Sequence, residues 1–102
     1  MLISKAPTIK CKKCGKIYHL EIDDFGDAET SSEERNMGYE TQYTWEFQME
    51  CEKCNNLLTV TIEGWEYPVG IYNYDEFTTE GCLFIEKPEL EIVFDNPYEE
   101  EL

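Results

Sequence analysis

Four of the five cysteines in this chain come as two Cys-x-x-Cys pairs, Cys11/Cys14 and Cys51/Cys54. A thiolate is a soft, strongly donating metal ligand, and a two-residue spacer lets one tight turn aim two sulfurs at a common point. Two such turns supply the four sulfurs of a tetrahedral site. The spacing predicts a metal centre of Cys11, Cys14, Cys51 and Cys54, with Zn2+ as its occupant. Four thiolates close the coordination shell and leave no position for water, so the expected zinc is structural. Disulfides would need an oxidising compartment and would leave one of the five cysteines without a partner.

Other chemistry fits less well. His19-Leu20-Glu21 with Cys51-Glu52-Lys53-Cys54 has the outline of a zinc-deaminase signature, in which one His and two Cys hold the metal and a Glu moves protons. Glu50 stands where that signature has proline, the flanking residues alternate as strands, and Cys11/Cys14 would have no role. Cys82 as a nucleophile would need a base beside it. Gly81-Cys82-Leu83-Phe84-Ile85 fits a core strand, with the thiol as a small apolar group. With no carboxylate pair, nucleophile–base pair or Gly-rich phosphate loop in view, the chain is expected not to be an enzyme.

The elements that must position the sulfurs are strands. Thr8-Ile9-Lys10 leads into a knuckle at 11–15, where Gly15 accommodates the positive φ that such a turn needs. Residues 17–22 alternate, with Tyr18, Leu20 and Ile22 on one face. Residues 23–38 form a polar stretch in which Ser31 and Glu34 have capping-box spacing, predicting a short helix over 32–37 that Gly38 ends. From Tyr39 to Cys51 the alternation is unbroken. Tyr39, Thr41, Tyr43, Trp45, Phe47 and Met49 share one face, which is expected to be core rather than a base-stacking platform. The second knuckle, 51–55, ends on Asn55, the next-best residue at positive φ. Residues 57–66 return, making a long hairpin with the knuckle at its tip. Residues 65–77 read as an irregular or edge-strand segment. Residues 82–86 and 89–95 read as strands, followed by a turn at 95–97 and an acidic tail at 97–102.

The two Cys-x-x-Cys turns, the glycine after the first, and the strands running through them resemble the zinc-ribbon superfamily over roughly residues 8–66. The resemblance implies two β-hairpin knuckles clamping one zinc. Two features depart from it: Asn55 replaces the second glycine, and the gap of residues 15–50 is longer than in compact ribbons. The expected fold is mostly β, an antiparallel zinc-ribbon-like sheet with a long hairpin and one short helix. It is a single domain over 1–102, with a C-terminal β extension at 67–96.

The chain has 102 residues, with 23 acidic against 8 basic and a formal net charge of −15. At 41% hydrophobic it is too apolar to be a disordered acidic chain. No secretory signal is visible and no run approaches the ~20 apolar residues of a membrane helix, so a cytoplasmic protein without a membrane partner is expected. The charge is segregated. Residues 1–19 carry Lys5, Lys10, Lys12, Lys13 and Lys16 and no acid, whereas every acid follows, with only Arg35, Lys53 and Lys87 among them. Such a body is steered toward basic partners.

The expected function is therefore a small acidic zinc-binding interaction module that docks on a basic protein surface, including a nucleic-acid-binding one. An accessory subunit, an antitoxin or immunity-type inhibitor, or a phage-type antagonist would fit. Trp65, Tyr67, Tyr72, Tyr74, Asp75 and Glu76 combine aromatic rings with an acidic rim and are the expected contact. The alternative is a zinc ribbon that binds nucleic acid through Lys10, Lys12, Lys13 and Lys16. A zinc-dependent enzyme comes third.

Overall fold

Residues 1–36, 38–68 and 70–92 are described by the computed structural model of the chain. In chain order the strands are β1 Leu2–Lys5, β2 Thr8–Cys11, β3 Ile17–His19, β4 Glu29–Arg35, β5 Gly38–Glu50, β6 Leu57–Glu66, β7 Tyr72–Glu80, β8 Cys82–Glu86 and β9 Glu89–Glu91. A single 3-10 turn, Ile22–Phe25, stands between β3 and β4. The strands form three antiparallel sheets, ordered β4-β5-β6-β7, β3-β2-β8 and β1-β9.

Alternation in β5 and β6 sets the frame. They pair without a break from Thr41↔Glu66 to Glu50↔Leu57, with the second knuckle at the tip as expected. One face turns Trp45, Leu58, Val60 and Ile62 fully inward, with Phe47 and Met49 half-buried beside them. Each such aliphatic side chain contributes about 1.5–3 kcal/mol on burial. Ile3, Ile9 and Phe25 complete the core from the other elements, and the Phe25 ring lies 5.7 Å from that of Phe47. The β1–β9 ribbon crosses this face at Gly64. A Cβ there would fall on Met1 Sδ and 2.8 Å from Leu90 Cδ1, so glycine is what lets the ribbon descend onto β6.

Two expectations are corrected. Residues 32–35 are not helical; they belong to β4, which pairs with β5 from Glu29↔Thr44 to Arg35↔Gly38. Ser31 and Glu34 have capping spacing, but the stretch has no apolar stripe at helical period to bury, and every β4 residue is exposed. Gly38, at φ +113°, serves the hairpin turn rather than a helix end. Met37, the last residue of the expected helix, lies outside the described residues. The sole helical element among the described residues is instead the 3-10 turn, which begins where the 17–22 strand was expected to run on. Of the two alternatives for 65–77, the edge strand holds over 72–77: Tyr72–Glu80 is a nine-residue strand at the second edge of the four-stranded sheet. The strand expected over 89–95 is β9 only as far as Glu91, with Ile92 past its end; residues 93–95, the 95–97 turn and the 97–102 tail lie outside the described residues.

The molecule measures 51 × 32 × 18 Å, with a radius of gyration of 16.1 Å. A compact chain of this length would have about 13 Å. The elongation follows from β5, which extends roughly 40 Å from the second knuckle at the ~3.4 Å rise of a strand.

Candidate metal centre

Each knuckle is closed by the same two backbone hydrogen bonds. The Cys11 amide donates to the Lys16 carbonyl at 2.9 Å and the Gly15 amide to the Cys11 carbonyl at 2.9 Å. The Cys51 amide donates to Asn56 at 2.8 Å and the Asn55 amide to Cys51 at 2.8 Å. Gly15 at φ +80° and Asn55 at φ +62° occupy equivalent left-handed positions, so the two turns are repeats of one motif.

The turns face each other across the end of the sheets. Cys11 Sγ lies 3.6 Å from Cys54 Sγ, and Cys14 Sγ lies 3.4 Å from Cys51 Sγ. All four sulfurs fall within 4.8 Å of one another. A regular tetrahedron with metal–sulfur bonds of about 2.3 Å has sulfurs about 3.8 Å apart. The cluster therefore fits one metal ion, and none of the five cysteines is in a disulfide.

The electrostatics agree. The hydroxyl of Tyr18 donates to Cys51 Sγ at 3.3 Å, and this bond, against the cost of desolvation, lowers the Cys51 thiol to about 6. The same contact raises Tyr18 to about 12. The Cys11 thiol is lowered chiefly by the Cys14 amide. The Asn56 amide favours the thiolate of Cys54, but desolvation and the three other sulfurs outweigh it and raise Cys54 to about 12. Four sulfurs this close cannot all carry charge unless a cation sits among them. A bound metal ion removes that conflict.

Three groups outside the cysteines tie the knuckles together. Tyr18, on β3, accepts from the Glu52 amide at 3.0 Å while donating to Cys51, so it joins the first hairpin to the second knuckle. Asn56 reaches the other way: its side-chain amide donates to Cys11 Sγ at 3.8 Å and to the Gly81 carbonyl at 3.1 Å. That carbonyl also accepts from the Lys12 amide at 3.0 Å. A Cβ on Gly81 would collide with the Leu57 carbonyl, which holds this junction to glycine. Neither Tyr18 nor Asn56 was singled out by motif. Tyr18 was legible only as a strand residue; the one hint for Asn56 is its place directly after the positive-φ residue of the knuckle.

His19 and Glu21 do not join the sulfurs. The His19 ring pairs with Thr8 Oγ1 at 3.2 Å, and the metal-ligand group among the described residues consists of the four cysteines. Cys82 is fully buried opposite Cys11 across β2–β8, donates to the Thr59 carbonyl at 3.7 Å, and has its thiol pushed up by desolvation. Lys10, Lys12, Lys13 and Lys16 are all exposed around the first knuckle. Lys16 Nζ lies 5.6 Å over the Tyr18 ring and 3.9 Å from Glu52.

The six residues expected at a partner contact separate. Trp65, Tyr74 and Glu76 share the outer face of the four-stranded sheet, with the Trp65 and Tyr74 rings stacked at 4.2 Å. Tyr72 and Asp75 turn to the opposite face, where the Tyr72 hydroxyl donates to the Asp75 carboxylate. Tyr67 lies past β6, its amide bonded to Ile71 at 2.9 Å. That loop is organised by Glu66, a buried carboxylate with no motif signal, which accepts from the Gly70 amide at 2.8 Å and the Tyr43 hydroxyl at 3.4 Å.

No helix among the described residues is long and apolar enough to cross a membrane. Comparison with protein-family models, with curated proteins and with solved structures finds no match to the chain. What the structure itself establishes is a mostly β protein whose four clustered cysteines could hold one metal ion.

Proposed function

We propose that the four cysteines hold one structural Zn2+ in a zinc-ribbon-type clamp, and that the acidic sheet anchored by it docks on a basic protein surface in the cytoplasm. Zinc is favoured because four thiolates in a closed tetrahedron suit it better than hard cations. Five free thiols suit a reducing compartment. The protein acts by binding, without catalysis, as an accessory subunit, inhibitor or antagonist of the partner.

The observation that carries the docking reading is the outer face of the β4-β5-β6-β7 sheet. Glu63 stands directly opposite Glu76, and Glu33 directly opposite Glu40 with only the Arg35 guanidinium between that second pair. Like charges in facing pairs destabilise a sheet by several tenths of a kcal/mol each. A basic partner would relieve that repulsion. Native mass spectrometry of the protein purified gently from its own cells tests the reading. One zinc and a stoichiometric basic chain are expected; a lone chain that instead retains nucleic acid would overturn it.

A second reading has its own observation. Lys10, Lys12 and Lys13 are exposed and form no ion pair among the described residues. They could contact phosphates. Binding to labelled DNA or RNA that weakens with salt, and whose salt slope flattens in Lys12→Glu, would favour this reading.

A further inference from the structure

The outer face of the four-stranded sheet is uncovered: no residue of it is buried, and its side chains are almost all Glu, Thr, Gln and aromatic. At its far end, one cross-strand row runs Ser31, Gln42, Trp65, Tyr74. Beside that row lies a shallow groove to which Glu33, Arg35 and Glu40 also contribute. Among the described residues the sole cation on this face is Arg35, and its guanidinium is held by Glu33 at 3.1 Å and Glu40 at 3.2 Å.

We propose that this groove is the contact point for an arginine side chain of the basic partner, with the Trp65–Tyr74 stack and the Glu33/Glu40 carboxylates as its recognition elements. The proposal rests on the docking reading above and names the surface and the chemistry. Charge complementarity selects a cation. The aromatic stack selects its kind: a planar, weakly hydrated guanidinium lies flat on a ring and donates to carboxylates in its plane, whereas an ammonium is a compact, strongly hydrated point charge. The pairing of Arg35 with Glu33 and Glu40 shows that these carboxylates are spaced to hold one guanidinium. Tyr74 is 49% exposed, so the stack is reachable from solvent. In the free protein Arg35 partly satisfies the groove and competes with the incoming group.

The test is titration of the metal-loaded chain with octa-arginine and octa-lysine peptides at physiological salt, read by calorimetry and by tryptophan fluorescence. Trp45 is buried, so the change reports mainly on Trp65. Octa-arginine should bind about 3–5-fold tighter than octa-lysine and perturb the fluorescence. Tyr74→Leu should reduce that preference, with Trp65 left as the sole ring of the pair. Arg35→Gln should bind octa-arginine tighter than Lys87→Gln, which has the same net charge but lies away from the groove. Equal affinity for both peptides, with no effect of Tyr74→Leu and equal behaviour of the two charge variants, would overturn the groove while leaving a diffuse acidic docking surface standing. Failure of both peptides to bind even at low salt would remove the docking reading as well. Binding of labelled nucleic acid in preference to either peptide would overturn both.

Discussion

The two ends of the long hairpin are stabilised by opposite means. At the knuckle end, three elements distant in sequence converge on four sulfurs, and Tyr18, Asn56 and the Gly81 carbonyl lock them together. At the far end, β4 is exposed along its whole length, and the outer face sets Glu63 against Glu76 and leaves one arginine between Glu33 and Glu40. One end gathers charge that a bound cation would neutralise. The other leaves charge facing solvent. An 18 Å-thick molecule has little core to share between them, so a bound metal would concentrate stability at the knuckle end.

The largest effect should come from the knuckles. Replacing Cys51 or Cys14 by Ser should abolish metal binding and unfold the domain, since structural zinc supplies on the order of 10 kcal/mol of apparent binding free energy. Metal content and circular dichroism of each variant check this. Cys82→Ser, buried but outside the sulfur cluster, should keep its metal and cost far less; equal loss in the two cases would erase the distinction between ligand and core cysteine.

Next comes the core under the hairpin. Ile62→Ala should cost about 2–5 kcal/mol in denaturant unfolding. Gly64→Ala, which pushes a methyl into Met1 and Leu90, should cost about 1–3 kcal/mol by overpacking. A neutral Gly64→Ala would mean that the β1–β9 ribbon does not sit tightly on β6.

Tyr18→Phe removes one hydroxyl that bridges Cys51 and the Glu52 amide. Metal retention in a chelator competition should weaken, with only a small loss of stability. The smallest effect should have the opposite sign. Glu76→Gln relieves the facing pair with Glu63 and should stabilise by roughly 0.2–1 kcal/mol, more at low salt than at high. Destabilisation there would show that the outer face is not strained by its charge.

The same contrast governs how far the molecule was legible in its sequence. The sulfurs were legible because a metal site needs particular residues at particular spacing. β5 and β6 were legible because thirteen residues of alternation leave a strand no competitor. β4 was not: Thr30-Ser31-Ser32-Glu33-Glu34 is polar throughout, so its local signals favour a cap, and only the seven-residue pairing with β5 decides for strand. Tyr18, Asn56 and Glu66 act through contacts with residues far from them in the chain, which no local pattern encodes. The aromatic and acidic residues of 65–77 share a type, but a strand sends neighbours to opposite faces, and so Tyr74 and Asp75 part company.

Metal dependence of folding tests the central claim most directly. The zinc content of the purified, reduced chain should be measured alongside its unfolding, with and without a strong chelator. One zinc per chain is predicted, lost together with the cooperative transition on chelation, and both absent in Cys51→Ser. A reduced chain that holds no metal, yet unfolds cooperatively and is indifferent to chelator, would contradict the account.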